Sequence, residues 1–142
     1  MNDPNQHLAD VYPSLTYDDA AAAIEWLCRA FGFQKRLVVE GEDNRVEHSE
    51  LSFGNAVIMV SSPKADANRV SPRQLSGHSQ ALSLYVENPD AHHDVAVAAG
   101  ATLVRPLQDE PYGARGYMVH DPEGHVWYFG DYRPGAYWNK AD

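Results

Sequence analysis

Residues 113–129 read GARGYMVHDPEGHVWYF, and the organisation of the chain can be built outward from them. RGYMVH (115–120) reads as a strand, DPEG (121–124) as turn chemistry, and HVWYFGDY (125–132) as a second strand. Upstream, PYGA (111–114) supplies another turn, and ATLVRPLQ (101–108) is a strand broken by Pro106. Before it, DAHHDVAVAAG (90–100) reads as a short helix closed by Gly100. Asn88-Pro89 places a cap residue ahead of a proline at the first helical position. ALSLYVEN (81–88) is the strand that leads in. The unit is strand, helix and three strands.

The same order occurs once before. VYPSLTYDD (11–19) alternates Tyr12, Ser14 and Thr16 with Pro13, Leu15 and Tyr17, the period of a half-buried strand. Asp18 or Asp19 can cap the helix that follows, on which Ile24, Leu27, Cys28 and Phe31 form one apolar stripe, and Gly32 stops it. QKRLVVE (34–40), RVEHSELSF (45–53) and GNAVIMVSS (54–62) are three strands, with GEDN (41–44) turning between the first two. Residues 63–80, rich in Pro, Ser and charge without periodicity, read as a linker or loop. Leu15-Thr16-Tyr17 matches Leu84-Tyr85-Val86, Gly32 matches Gly100, and Gly54–Met59 matches Gly124–Phe129, an offset of about 70 residues. The expected fold is α+β: two fused βαβββ modules, about 11–62 and 81–132, joined by the linker and followed by a tail, 133–142. A repeat of one supersecondary unit implies that neither copy covers its sheet alone.

The bulk numbers exclude several function classes. The chain has 142 residues, of which 44% are hydrophobic and 22% charged, as expected of one ordinary globular domain. Lys+Arg number 11 against 20 Asp+Glu, a formal net charge of -9, so no basic surface is available for nucleic acid. The first ten residues, MNDPNQHLAD, lack the pattern of a signal peptide, and no apolar run approaches the ~20 residues of a membrane span. Cys28 is the single cysteine, which excludes an internal disulfide. The expectation is a cytoplasmic protein without nucleic-acid or membrane partners.

The element order, with FGF closing the first helix, GAT after the second and DPEGHVWYF near the end, resembles the vicinal oxygen chelate superfamily. The resemblance runs from Tyr12 to Tyr132 and is most specific over Gly113–Phe129; the chain is similar to glyoxalase-like and bleomycin-resistance-like members. It implies curled mixed sheets round a shared cavity (the glyoxalase/bleomycin-resistance/dioxygenase fold), often completed in a homodimer. In metal-dependent members it further implies His, Gln or Glu ligands on the first and fourth strands of each module. Here those positions map to Tyr12, Ile58, Ala81 and Tyr128, with Ala56, Ile58, Val126 and Tyr128 as cavity-facing residues of the fourth strands. None is His, Glu or Gln, and Ile or Ala cannot supply a donor to a divalent ion. No cofactor is therefore expected, and a divalent metal remains as the requirement of the alternative reading below.

Other residues can carry chemistry. His48 and Glu50 lie two apart on one strand and so share a face, expected to be the cavity face, with Leu51 and Phe53 on the other. They fit a general base, a ligand clamp, a displaced pair of metal ligands, or a plain polar pair at a sheet edge. His120 is a candidate to face the same space. His92 and His93, at the start of the second helix, are expected in solvent. His125 is expected to make structural hydrogen bonds, and Cys28, Trp26, Trp127 and Phe129 to be core. Tyr12, Ser14, Tyr85, Met118 and Tyr128 map to a cavity face suited to a planar or amphipathic organic ligand. Arg115 would reach a ligand carboxylate or phosphate, or else pair with a surface carboxylate. The net acidity would tolerate a cationic ligand.

The reading that results is a glyoxalase/bleomycin-resistance-like homodimer binding a small organic molecule in a tyrosine-lined cavity without the superfamily's metal. The alternative is a metal-dependent lyase, isomerase or dioxygenase of the glyoxalase type using His48 and Glu50, or a metal-free enzyme with one of them as general base.

Overall fold

The computed structural model describes residues 9–138. The first eight residues, on which most of the signal-peptide reading falls, and the last four of the tail lie outside the described residues. The elements are β1 (Ser14–Thr16), α1 (Ala20–Phe31), β2 (Gln34–Glu40), β3 (Val46–Phe53) and β4 (Ala56–Ser61). They recur as β5 (Leu82–Tyr85), α2 (Pro89–Ala98), β6 (Thr102–Asp109), β7 (Arg115–His120) and β8 (Val126–Gly130). The connection between modules carries two single-turn 3-10 helices, Ala65–Ala67 and Pro72–Gln74. No helix among the described residues is long and apolar enough to cross a membrane.

Local chemistry places the helices where the sequence puts them. The Asp19 carboxylate accepts from the Ala22 N–H at 3.1 Å, and Gly32 ends α1 in the left-handed region at φ 92°. Asn88 caps α2 in the same way through Ala91 N–H, with Pro89 at the first turn. Pro106 does not break β6. That strand lies at the sheet edge, where a missing N–H costs no ladder bond, and the irregularity is absorbed by register shifts between Leu103 and Gln108.

Each module forms a four-stranded mixed sheet, ordered β1-β4-β3-β2 and β5-β8-β7-β6, with the N-terminal strand of each running parallel to its neighbour. The two sheets do not close on one another. Instead, α1 and α2 pack together, and the helix-facing side chains of both sheets merge into one core. Phe31 at the end of α1 lies 5.1 Å from Trp127 and 4.6 Å from Phe129, ring to ring, so module one buries its helix partly against module two. Trp26, Trp127 and Phe129 are core, as expected, and Cys28 is partly buried against it. The opposite face of each sheet is left uncovered by either helix.

Two further expectations need correction. Ile58 is 2% exposed and belongs to the core, so it does not face the cavity. Its strand is shifted by one residue from the sequence superposition: Ser14 pairs with Met59 where Ser83 pairs with Tyr128. The cause is turn length. β3 and β4 close tightly, with Phe53 opposite Ala56, whereas β7 and β8 are joined by the longer 121–125 turn, with His120 opposite Val126. Aligning Gly54 with Gly124 therefore throws the strand out of phase, and a one-residue slip exchanges the two faces. Ala56 falls on the Ile58 side with it, and Val57 and Met59 take the uncovered face.

His92 is the second correction. It is not a solvent residue: one ring nitrogen lies 2.9 Å from the Phe31 carbonyl oxygen and the other 2.5 Å from the Tyr117 hydroxyl, and the ring packs 4.3 Å from that of Phe129. Pro89 and Ala96, both buried, flank it at one helical turn on either side, so His92 continues the inward stripe of α2. His93 is partly covered as well, edge-on to Tyr117 at 5.1 Å, and contacts Asp94.

Candidate ligand-binding site

Cross-strand pairing arranges the uncovered faces in rows. In module two, Arg105, Met118, Tyr128 and Ser83 stand abreast on β6, β7, β8 and β5. The equivalent row of module one is Leu37, Glu50, Met59 and Ser14. Beside the first of these rows runs Gln108, Gly116, Gly130 and Tyr85. The sequence-predicted set Ser14, Tyr85, Met118, His120 and Tyr128 therefore lies on uncovered sheet faces, divided between two modules.

Tyr128 is the centre of the module-two face. It is 8% exposed, and its hydroxyl is buried with no well-formed hydrogen bond. Burial pushes the phenol well above its usual pKa, with the neighbouring Tyr112 adding to the effect, so the group stays a protonated donor. Its ring lies across Gly116 and Gly130. A Cβ at Gly130 would sit 2.7 Å from the Tyr128 hydroxyl, and one at Gly116 would meet the ring oxygen and carbon directly. The two glycines are the floor that lets the ring lie flat. The Arg105 guanidinium covers the ring at 5.6 Å and is held by the buried Glu110 carboxylate at 2.8 and 2.9 Å.

Arg105, Glu110, Tyr112 and Arg133 are functional candidates that sequence reasoning missed. A signal existed for the first: a charge in the apolar run ATLVRPLQ, at a position where alternation places it beside Met118 rather than the core. Arg133 stacks on Tyr85, its guanidinium carbon 3.8 Å from the ring centre. Nothing local in the tail sequence signals that contact.

The remaining predicted residues are placed as follows. His48 Nε2 and Glu50 Oε2 are 2.8 Å apart on the uncovered face of β3, each side chain about two-fifths exposed. His120 stands on the other sheet, its ring 5.2 Å from that of His78 in the connecting segment. Arg115 is engaged by Asp90 at 2.8 Å and Asp109 at 3.1 Å, which raise its pKa further. Tyr12 is largely exposed, and Ser14 accepts from Arg69 at 2.9 Å. His125 makes a structural bond to module one, its Nε2–H donating to the Thr16 carbonyl oxygen at 2.9 Å.

The metal implied by the resemblance can be tested against these donors. On the first strand, which Tyr12 precedes, Ser14 pairs with Met59 and Thr16 with Ser61 of the fourth. In module two, where Ala81 precedes β5, Ser83 pairs with Tyr128 and Tyr85 with Gly130. Hydroxyls, a thioether and hydrocarbon do not make the imidazole and carboxylate set that holds a divalent first-row ion. Among the described residues, no three His, Cys, Asp or Glu side chains converge. The residues present do not fit the group.

Comparison with known proteins defines the class. The family model of the Glyoxalase/Bleomycin resistance protein/Dioxygenase superfamily matches residues 6–129, and the chain belongs to that superfamily. It is 33% identical over 121 residues to an uncharacterized protein of Mycobacterium tuberculosis (strain ATCC 25618 / H37Rv), covering 83% of this chain and 71% of that one. Among solved structures it is similar to TioX from Micromonospora sp. ML1, with 34% identity and a TM-score of 0.71 over 88% of this chain and 99% of that one. A glyoxalase/bleomycin resistance protein/dioxygenase family enzyme from Burkholderia phytofirmans PsJN matches at 25% identity and a TM-score of 0.66, over 84% and 95% of the two chains.

Proposed function

We propose that this chain binds a small planar organic molecule on the tyrosine-bearing sheet face of module two, without a metal ion. The observation that carries the reading is the Tyr128 hydroxyl. A buried donor without a well-formed bond costs roughly 1–3 kcal/mol, and a ligand carbonyl, ether or quinone oxygen that displaces its cover would recover it. Tyr85 and Met118 offer flat and polarisable surface beside it, and Arg105 completes the wall. The two sheets stay open within one chain, so a second copy set against them, as a homodimer, would enclose the ligand.

The test is a thermal-shift screen of planar aromatic compounds, run with and without divalent metals, repeated on Tyr128→Phe. Hits that bind without metal and lose about tenfold affinity in the variant support the reading. Affinity for every hit unchanged in Tyr128→Phe would sink it.

A second reading rests on the 2.8 Å contact of His48 with Glu50. With the carboxylate orienting the ring, the imidazole can accept a proton from a carbon or oxygen acid, the arrangement of a metal-free general base. Turnover abolished by His48→Ala, in protein free of metal by elemental analysis, would favour it. Stoichiometric metal lost with His48 or Glu50 would instead favour a glyoxalase-type metalloenzyme.

A further inference from the structure

Within the binding reading above, on which this inference rests, we propose that the ligand is a planar acid, its carboxylate held by Arg133 at the junction of the two modules. A groove of about 460 Å³ opens there between the β3–β4 turn, contributing Phe53 and Asn55, and β5, contributing Ser83 and Tyr85, with Arg133 on its rim. Its size suits a bicyclic aromatic. The walls divide by chemistry: Phe53 and the Tyr85 ring are flat and apolar, whereas Asn55, Ser83 and Arg133 are polar.

Arg133 differs from the cations around it. Arg115 is committed to Asp90 and Asp109, and Arg105 to Glu110. The contact described for Arg133 is the Tyr85 ring, 3.8 Å from the guanidinium carbon, and a contact with a ring face consumes none of the guanidinium's N–H donors. A planar fork of donors fixed on an aromatic surface is the geometry that receives a carboxylate in two parallel hydrogen bonds. The net charge of -9 opposes an anion at long range, but exposed charges beyond about 10 Å are screened at physiological salt, and contact with the guanidinium decides.

A second observation points to the same place. Tyr85 pairs with Gly130, and it is over Gly130 that the Tyr128 hydroxyl, which makes no well-formed hydrogen bond, lies. An aromatic acid laid along Tyr85 would thus meet a cation at one end, with the protonated Tyr128 phenol on the adjoining strand, reached once the cover over it shifts. The cation specifies the acid, and the phenol serves any oxygen acceptor.

The experiment is isothermal titration calorimetry of 2-naphthoate and its uncharged analogue 2-naphthamide against the full chain, Arg133→Gln and Tyr128→Phe. Arg133 is exposed in the tail, so the substitution leaves the core intact. Saturable naphthoate binding, about 10- to 100-fold tighter than naphthamide, is expected, and Arg133→Gln should erase that preference by weakening naphthoate far more than naphthamide. Equal affinities, a preference that survives Arg133→Gln, or no saturable naphthoate binding below about 5 mM would each overturn the inference. If naphthamide binds and is weakened by Tyr128→Phe while the preference is absent, the binding reading stands and only the acid specificity falls.

Discussion

The Tyr17 hydroxyl donates to Asp121 Oδ2 at 2.6 Å, joining the end of β1 in module one to the turn before β8 in module two across 104 residues of sequence. Both groups are buried, and Asp121 also accepts from Trp127 Nε1 and from the backbone N–H groups of Glu123, Gly124 and His125. Glu123, two residues further along the turn, accepts from the free N–H groups of Asp18 and Asp19 and from the Ser71 hydroxyl, so it caps the entry to α1 from the other module. The DPEG turn thus clamps the modules together.

From this clamp the expected order of damage follows. Asp121→Ala strands five donors in a dry site and should cost about 3–5 kcal/mol. Tyr17→Phe leaves Asp121 with four partners and should cost only about 1 kcal/mol. Urea unfolding measures both, and equal losses would show that the module contact, rather than the turn, depends on this carboxylate.

The register of β4 makes a second pair of outcomes. Ile58→Ala opens a cavity in the core and should lose about 2–5 kcal/mol, whereas Met59→Ala, on the uncovered face, should lose less than about 1 kcal/mol. Chemical denaturation of the two single variants decides between this register and its one-residue neighbour, which predicts the reverse order.

That strand also marks how much was legible in the sequence. Periodicity and capping gave both modules, both helix ends and the core role of Trp127 and Phe129, because each depends on residues close in sequence. The phase of β4 depended on the length of a turn whose two copies differ, and glycine matching could not supply it. The module-two face was half legible: Tyr128, Tyr85 and Met118 follow from alternation, while Arg105 over Tyr128 and Arg133 over Tyr85 follow from where a bulged edge strand and the tail come to rest. His92 was hidden because its burial comes from α1 packing on α2, a contact that no local pattern encodes.

His92 predicts a pH dependence. Burial holds its pKa below the usual 6.5, so the unfolded chain binds the proton more readily than the folded one. Its contribution is complete above about pH 6.5 and is lost as the pH falls from there toward the lower folded value. The folded chain should therefore melt at lower temperature at pH 5.5 than at pH 7.5. His92→Phe, which keeps the aromatic contact with Phe129, should flatten that difference; an unchanged pH profile would assign it to other groups.

Gly116 predicts the cost of disturbing the floor under Tyr128. A Cβ there would lie 2.7 Å from the Phe129 carbonyl oxygen as well as against the Tyr128 phenol, and the backbone contact cannot yield by a rotamer change. Gly116→Ala should cost about 1–3 kcal/mol in denaturant unfolding and displace the Tyr128 ring, seen as a change in near-ultraviolet circular dichroism.

Tyr128 itself should behave in the opposite way to a core tyrosine. Its ring is buried on the two glycines, but its hydroxyl is left without a well-formed hydrogen bond, so that oxygen adds little to the stability of the free protein. Tyr128→Phe keeps the ring and removes the poorly bonded hydroxyl. The melting temperature of the free variant should hold or rise, by up to about 1 kcal/mol of stability, while the stabilisation produced by an oxygen-bearing aromatic ligand shrinks. A hydroxyl held for folding would give a clear loss of stability in the free variant. A hydroxyl held for a ligand gives that loss only when the ligand is present, because the bond it is missing is then supplied from outside the chain.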